Sequence, residues 1–86
     1  MKAIFHIHFK KQFKKLRRGQ QNKFSEQLAV FLENPFEATL NNHPLRGRYA
    51  GFRSINVGGD LRAIYGMVEK DTAYFIAIDT HSKLYS

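Results

Sequence analysis

Four side chains in the last third of the 86-residue chain have the chemistry that RNA cleavage requires. Asp60 and Arg62 stand at the start of one predicted strand. His81 and Tyr85 follow the end of the next predicted strand. Because an antiparallel hairpin brings the start of one strand beside the end of the other, we expect all four at one edge of a sheet. A carboxylate, a guanidinium, an imidazole and a stacking ring at one edge can hold and cut an RNA strand.

Arg62 stands between two apolar residues of its predicted strand, which favours a fixed guanidinium over a freely solvated one. A planar guanidinium can bind two phosphate oxygens at once. Gly66 removes a side chain from the same face of the strand and leaves room there. The alternative interpretation is an ion pair with Asp60 or Asp79 that only holds the sheet edge.

His81 follows the last predicted strand, between Thr80 and Ser82. Imidazole accepts and donates protons near neutral pH, so His81 is a candidate general acid or base. The alternative is an ordinary surface histidine. His6 and His8 alternate along the first predicted strand, but no carboxylate lies near them in sequence, and we interpret them as residues of the sheet surface. We expect neither a metal site nor a cofactor.

The segment from His43 to Tyr49 is a predicted loop that combines an imidazole, two guanidiniums and a phenol around a glycine. Arg46 and Arg48 can contact phosphates, while aromatic rings stack on bases at about 1–3 kcal/mol for each base. The alternative is an ordinary basic loop in a basic protein.

Composition points to an anionic partner. Fourteen Lys and Arg against seven Asp and Glu give a net charge of +7, and the first acidic residue is Glu26. Such a charge attracts polyanions, so we expect a nucleic acid or an acidic protein as partner. The chain has no cysteine, which excludes disulfides, thiolate metal sites and a Cys nucleophile. The apolar runs are too short to span a bilayer, and we expect a cytoplasmic location.

Apolar periodicity divides the chain into six main elements. Alternation predicts a first strand from Ala3 to Phe9, and helical spacing then predicts two antiparallel helices. Gly19 is the expected stop of the first helix and Asn22 the expected N-cap of the second. A loop from Pro35 to Gly51 follows, with a short helical turn near residues 36–40. Three strands then form a meander at Tyr49–Val57, Leu61–Val68 and Thr72–Thr80.

The expected fold class is α+β with the order β-α-α-β-β-β. Such a fold has a twisted antiparallel sheet with two N-terminal helices packed on one face and the other face free for a ligand. The length allows one domain, residues 1–86.

Three segments resemble the RelE superfamily of toxins from bacterial type II toxin-antitoxin systems. They are HPLRGRYAGFR at residues 43–53, GGDLRAIY at residues 58–65 and THSKLY at residues 80–85. The order of elements is similar as well, and the match is closest to the YafQ-like branch of mRNA interferases. The resemblance extends over essentially the whole chain.

The resemblance implies an endoribonuclease that cuts mRNA in the ribosomal decoding site without a metal and is silenced by an antitoxin. It assigns catalysis to His81 and phosphate binding to Arg62, and it places His43 and Asp60 in the same pocket. One side chain takes the proton of a ribose 2′-OH, whose oxygen attacks the adjacent phosphate, and a second group protonates the departing 5′-oxygen. Arg53 is expected to act with Arg62 on the charge that builds on the phosphorane.

The expected RNA-binding side chains are basic or aromatic: Arg46, Arg48, Tyr85, Lys83, Lys10, Lys11 and Lys14. For the three lysines of the first helix, the alternative is a simple solvated face. Two positions depart from the YafQ pattern, since Asn56 stands where that pattern has His and Ser54 where it has Asp. The choice of general base therefore stays open.

The expected partners are an acidic, partly disordered antitoxin, the mRNA and the 30S or 70S ribosome, with no membrane. Two rival functions are a ParE-like inhibitor of DNA gyrase and a non-catalytic RNA-binding module. A gyrase inhibitor has no need for His81 and Tyr85 beside Arg62, whereas an RNA-binding module needs only the basic helix and the aromatic residues.

Overall fold

The computed structural model describes residues 1–85. Five strands and three helices follow one another along the chain, namely β1 (Lys2–Phe5), α1 (Ile7–Lys14), α2 (Arg18–Glu33), β2 (His43–Pro44), β3 (Arg53–Gly58), β4 (Leu61–Glu69), β5 (Thr72–Thr80) and α3 (His81–Leu84). Short 3-10 turns at Ala38–Leu40 and Gly47–Tyr49 flank β2. The predicted α+β class is confirmed, and β5 has the predicted bounds. No helix within residues 1–85 is long and apolar enough to cross a bilayer.

The five strands form one sheet in the order β1-β5-β4-β3-β2. The strands β3 to β5 pair antiparallel, as predicted. β2 also pairs antiparallel with β3, although it lies in the segment predicted as a loop, whereas β1 lies parallel to β5. A parallel pair needs a long connection, and here two helices and three strands lie between its members. The sheet is therefore mixed at this edge rather than antiparallel throughout.

The first strand is shorter than predicted, because His6 begins a helix. Its Nδ1 accepts the backbone N–H of His8 over 3.0 Å, and its carbonyl oxygen accepts the N–H of Lys10 over 3.0 Å. The first bond satisfies one of the free N–H groups at the start of α1, and the second is the first regular hydrogen bond of the helix. The prediction that His6 and His8 alternate on a strand face is wrong, since His8 lies in the helix.

The N-cap of the second helix is Arg17, five residues before the predicted N-cap, Asn22. Arg17 has an extended backbone, and its N–H donates to Oε1 of Gln20 over 3.0 Å. Gly19 thus lies in the first turn of α2 and does not end α1. Ser, Thr, Asp and Asn are the residues preferred at an N-cap, so the sequence preferences did not predict an arginine at this position.

The core between the helices and the sheet is mainly aromatic. The Phe31 ring packs edge-on against Tyr65 and Phe75, with ring centroids 4.8 and 5.4 Å away. The rings of Phe9 and Phe24 also contact Phe75, at 5.9 and 5.8 Å. All five side chains are buried, and their burial holds α1 and α2 on one face of the sheet.

The other face of the sheet is not free, contrary to the prediction. Ile64, Ala77 and Leu84 form a second buried cluster there. The side chains packed on this cluster come from the loop around β2 and from β5: Leu45, Tyr49, Phe52 and Ile76. The room expected at Gly66 is filled by the Phe52 ring, which lies 2.8 Å from where a Cβ would stand.

Two glutamine side chains form hydrogen bonds with backbone groups of the sheet at places where no neighbouring strand pairs with them. Beyond Phe5 the edge of β5 has no strand neighbour, and the side chain of Gln12 in α1 accepts the N–H of Ile78 over 2.9 Å. On the opposite edge, Nε2 of Gln27 in α2 donates to the carbonyl oxygen of Asn56 over 3.1 Å. Both helices thus protect edges that would otherwise expose polar backbone.

Candidate active site

The turn between β3 and β4 holds two predicted site residues through three consecutive carbonyl oxygens. Nη1 of Arg62 donates to the carbonyl oxygens of Gly59, over 2.9 Å, and Leu61, over 3.1 Å. The backbone N–H of His81 donates to the carbonyl oxygen of Asp60, which lies between them, over 2.9 Å. Arg62, His81 and Asp60 therefore lie at the same end of the sheet.

The ion-pair interpretation of Arg62 does not hold. Asp79 stands directly opposite Arg62 on β5. Its carboxylate instead accepts the N–H of Thr80 over 2.8 Å and lies 3.5 Å from Nε2 of Gln12. Within residues 1–85 the guanidinium forms no salt bridge with Asp79 or Asp60. Its positive charge is thus not neutralised by either carboxylate, which favours an anionic ligand.

Helix α3 presents His81 to solvent because its other side is anchored. Leu84 is buried in the second cluster, against Ile64 of β4. Thr80 caps the helix, since its Oγ1 accepts the N–H of Lys83 over 3.4 Å. His81 and Lys83 consequently lie on the exposed side of the helix.

Rings from α3 and from the loop after β2 form one surface. The His81 imidazole lies 4.7 Å from the Tyr85 ring, and Tyr85 packs edge-on against Tyr49 at 6.0 Å. Arg48 joins the two segments: its guanidinium lies 5.2 Å from the Tyr49 ring, and Nη2 donates to the carbonyl oxygen of Leu84 over 2.8 Å. Tyr49 is the phenol of the predicted loop from His43 to Tyr49, but its contact with Tyr85 was not predicted from the sequence.

His43 lies on the same face of the sheet as Arg62. It stands opposite Ser54 in β3, which stands opposite Ile64 in β4. Arg62 is two residues from Ile64 on β4, a step of about 7 Å along the strand. Nδ1 of His43 lies 2.8 Å from the carbonyl oxygen of Asn41. A carbonyl can only accept, so Nδ1 carries a proton, and Nε2 is the acceptor when the ring is neutral.

Arg53 is not brought to this surface. It stands opposite Tyr65, whose side chain lies in the core on the helix side of the sheet. Nε of Arg53 donates to Oδ1 of Asn42 over 2.7 Å, and the guanidinium lies 5.2 Å from the ring of Phe36. The structure therefore separates Arg53 from His81 and Arg62.

The remaining predicted RNA contacts fall into two groups. Arg46 is exposed directly before the Gly47–Tyr49 turn, close in sequence to Arg48. The lysines of α1 lie elsewhere: Lys10 and Lys14 border an apolar groove of ≈380 Å³ on the helix side. This groove is lined by aromatic and aliphatic side chains of β1, α1 and α2, namely Phe5, Phe9, Phe13, Phe24 and Leu28. Lys11 is also exposed on α1.

The two positions that depart from the YafQ pattern hold buried polar atoms. Oγ of Ser54 and Oδ1 of Asn56 are buried without a hydrogen-bond partner. Asn56 stands opposite Arg62 across the β3–β4 pair. Within residues 1–85 no three His, Asp or Glu side chains lie close enough together to hold a metal ion.

Comparison with known families decides the assignment. A family model described as the bacterial toxin of type II toxin-antitoxin system, YafQ, matches residues 1–86. The chain belongs to the YafQ family. It is thus a toxin of a type II toxin-antitoxin system, and the predicted match to the YafQ-like branch is confirmed. No match was found among curated proteins.

Solved structures show that this YafQ-family chain shares the fold of other toxins. YafQ from E. coli strain BL21(DE3) is 23% identical, with a TM-score of 0.81 over 98% of this chain and 97% of that one. The E. coli DinJ-YafQ toxin-antitoxin complex matches at 23% identity and a TM-score of 0.78, covering 98% and 96%. The archaeal RelE-RelB complex from Pyrococcus horikoshii OT3 matches at 18% identity and a TM-score of 0.75, covering 95% and 96%.

Proposed function

We propose that this YafQ-family toxin is an endoribonuclease that cuts mRNA on the ribosome and so inhibits translation. One observation carries the proposal: Arg62 and His81 are held by consecutive carbonyls of the same turn, and the His81 ring lies against Tyr85. A cation, a proton-transfer group and a stacking ring thus lie at one end of the sheet. This is the minimum set for binding and cleaving a phosphodiester beside a stacked base.

The proposed reaction uses the RNA's own 2′-OH as the nucleophile. Its oxygen forms a bond to phosphorus while the bond from phosphorus to the 5′-oxygen breaks. The products are a 2′,3′-cyclic phosphate and a 5′-OH. One group accepts the 2′-OH proton and another donates a proton to the leaving oxygen, and each contributes about 10²–10⁴-fold in rate.

His81 acts as acid or base in this proposal, and Arg62 stabilises the charge on the pentacoordinate phosphorus. His43 and Asp60 assist in proton transfer. When the His43 ring is neutral, Nε2 is its acceptor, because Nδ1–H donates to the carbonyl oxygen of Asn41. Arg53 is no longer included among the phosphate ligands, since its side chain lies on the helix side of the sheet.

The exposed position of the site supports dependence on the ribosome. All three exposed residues lie on short segments: His81 begins the four-residue helix α3, Asp60 lies in the turn between β3 and β4, and Arg48 lies in the 3-10 turn Gly47–Tyr49. Such a surface does not by itself orient a flexible RNA strand. We propose that the ribosome holds the mRNA in the reactive geometry, because orientation alone can lower a barrier substantially.

An antitoxin is the proposed regulatory partner. Two similar structures are complexes, of YafQ with DinJ and of RelE with RelB. The net charge of +7 favours a cognate antitoxin that is acidic and partly disordered before binding.

Primer extension on cellular mRNA after induction of the toxin tests the proposed activity. The expected result is a set of new 5′ ends within translated codons, which disappear when translation initiation is blocked. A gyrase inhibitor would leave mRNA intact and change plasmid supercoiling instead. Binding of RNA without new ends would indicate a non-catalytic module.

A further inference from the structure

Asn42 is the centre of a hydrogen-bond network that joins the helix side of the sheet to β2. Its Nδ2 donates to the carbonyl oxygen of Pro35 over 2.8 Å and to the hydroxyl oxygen of Tyr65 over 2.7 Å. Its Oδ1 accepts from Nε of Arg53 over 2.7 Å. Both amide donors and the amide oxygen are thus used, so the orientation of the side chain is fixed.

The side chains of Tyr65 and Arg53, which bond to Asn42, make further contacts of their own. Tyr65 is only 2% exposed and packs against Phe31 and Phe75. Arg53 lies against the Phe36 ring in addition to its bond to Asn42. The network therefore ties the loop before β2 to the main core.

His43 is the next residue along the chain, and its ring is held from the other side. Asn41 has a left-handed backbone, with φ 44° and ψ 49°, and its carbonyl oxygen accepts the Nδ1–H of His43. A left-handed conformation is costly for a residue with a Cβ, although Asn tolerates it better than most. The hydrogen bonds of the Asn42 side chain, on the adjacent residue, hold the backbone between Asn41 and His43 in this conformation.

We propose that Asn42, held by Arg53 and Tyr65, is a positioning residue that keeps His43 in the Nδ1–H form with Nε2 turned toward the RNA. Arg53 then contributes to cleavage through Asn42 rather than by contact with phosphate. The link to cleavage rests on the proposed endoribonuclease activity, whereas the state of the His43 ring does not.

Long-range ¹H–¹⁵N NMR of the purified toxin tests the ring directly, since it shows which imidazole nitrogen carries the proton. In the wild-type protein His43 is expected as a single Nδ1–H tautomer. Asn42→Ala is expected to give a mixture of both tautomers, and Tyr65→Phe a smaller change in the same direction. Tyr65→Phe removes one hydroxyl and keeps the ring, so it serves if Asn42→Ala does not fold. An unchanged tautomer in the folded variants would overturn the proposal.

A double-mutant cycle on mRNA cleavage tests how Arg53 acts. Arg53→Gln and Asn42→Ala are each expected to lower the maximal rate about tenfold to a hundredfold without changing the KM, because a misplaced His43 slows the chemical step. The maximal rate of the double variant is expected to be no lower than that of either single variant, since both substitutions disrupt the same hydrogen-bond network. Multiplied losses, or a raised KM for Arg53→Gln alone, would show that Arg53 contacts RNA itself. If the wild-type toxin cuts no mRNA, the proposed function fails, and the NMR result still decides the state of His43.

Discussion

Arg62 and His81 depend on the same turn: the guanidinium bonds to the carbonyls of Gly59 and Leu61, and the His81 N–H bonds to the carbonyl of Asp60. Any change that reorients these three peptide groups moves both side chains together. The geometry of the turn is therefore as important for the proposed reaction as the two residues themselves.

Gly59 tests this dependence, because it has a φ of +54° and open space around its Cβ position. Gly59→Ala is expected to cost about 1–2 kcal/mol from backbone strain alone, and to reduce mRNA cleavage as well. Gly59→Asn is the matched control, since Asn tolerates this conformation. Denaturant unfolding and primer extension measure the two effects. If Gly59→Ala and Gly59→Asn had the same stability and the same rate of mRNA cleavage, the positive φ at this position would not be required for the reaction.

Arg62 is expected to stabilise the transition state through its planar, charged fork. Arg62→Ala is expected to lower cleavage about 10²–10³-fold, and Arg62→Lys to recover only part of that loss because a lysine lacks the fork. Arg18→Ala, which removes an exposed arginine of α2, is the control for net charge. A reconstituted translation reaction with purified toxin measures the rates. Full activity of Arg62→Ala would remove Arg62 from the mechanism.

Tyr85 is 37% exposed and lies against His81 and Tyr49, so it is positioned to stack on a base. Loss of one stacked base costs about 1–3 kcal/mol, which is about 5- to 150-fold in affinity. Tyr85→Ala is expected to raise the KM for mRNA by this factor, while Tyr85→Phe stays close to the wild type. If Tyr85→Phe is as defective as Tyr85→Ala, the hydroxyl is what matters and stacking is not the explanation.

Two glycines are expected to respond to alanine in opposite directions. At Gly66 a Cβ would stand 2.8 Å from the Phe52 ring, so Gly66→Ala is expected to destabilise the fold by about 1–3 kcal/mol. At Gly19 nothing lies within 4 Å and the residue is in α2, so Gly19→Ala is expected to stabilise by about 0.5 kcal/mol. Urea unfolding measures both. A neutral Gly66→Ala would mean that Phe52 moves aside at no cost.

Periodicity and turn chemistry were enough to predict the hairpins of the sheet. The Gly58-Gly59-Asp60 turn and the bounds of β5 follow from alternation and from the preference of Gly for positive φ. The end of β1 was not predictable in this way. It depends on a side-chain bond from His6 to the backbone of His8, and periodicity carries no information about such a bond.

The parts of the site that the sequence did not predict depend on the path of the loop after β2. Tyr49 meets Tyr85, and Phe52 fills the space over Gly66, only because this loop folds back over the sheet. Arg53 has a guanidinium of the kind that binds phosphate, but its position opposite Tyr65 places its side chain on the helix side of the sheet. The side of the sheet on which Arg53 lies follows from its pairing with Tyr65, and the sequence alone does not give this register.

Cleavage by a His81→Ala variant is the most direct test of the central claim. Purified wild-type toxin, His81→Ala and the control His8→Ala, which removes another exposed imidazole, are added to a reconstituted translation reaction, and mRNA ends are mapped by primer extension. Wild type and His8→Ala are expected to produce the same cuts, and His81→Ala is expected to be slower by about 10²-fold or more. Cuts by folded His81→Ala at the wild-type rate would contradict the assignment of proton transfer to His81.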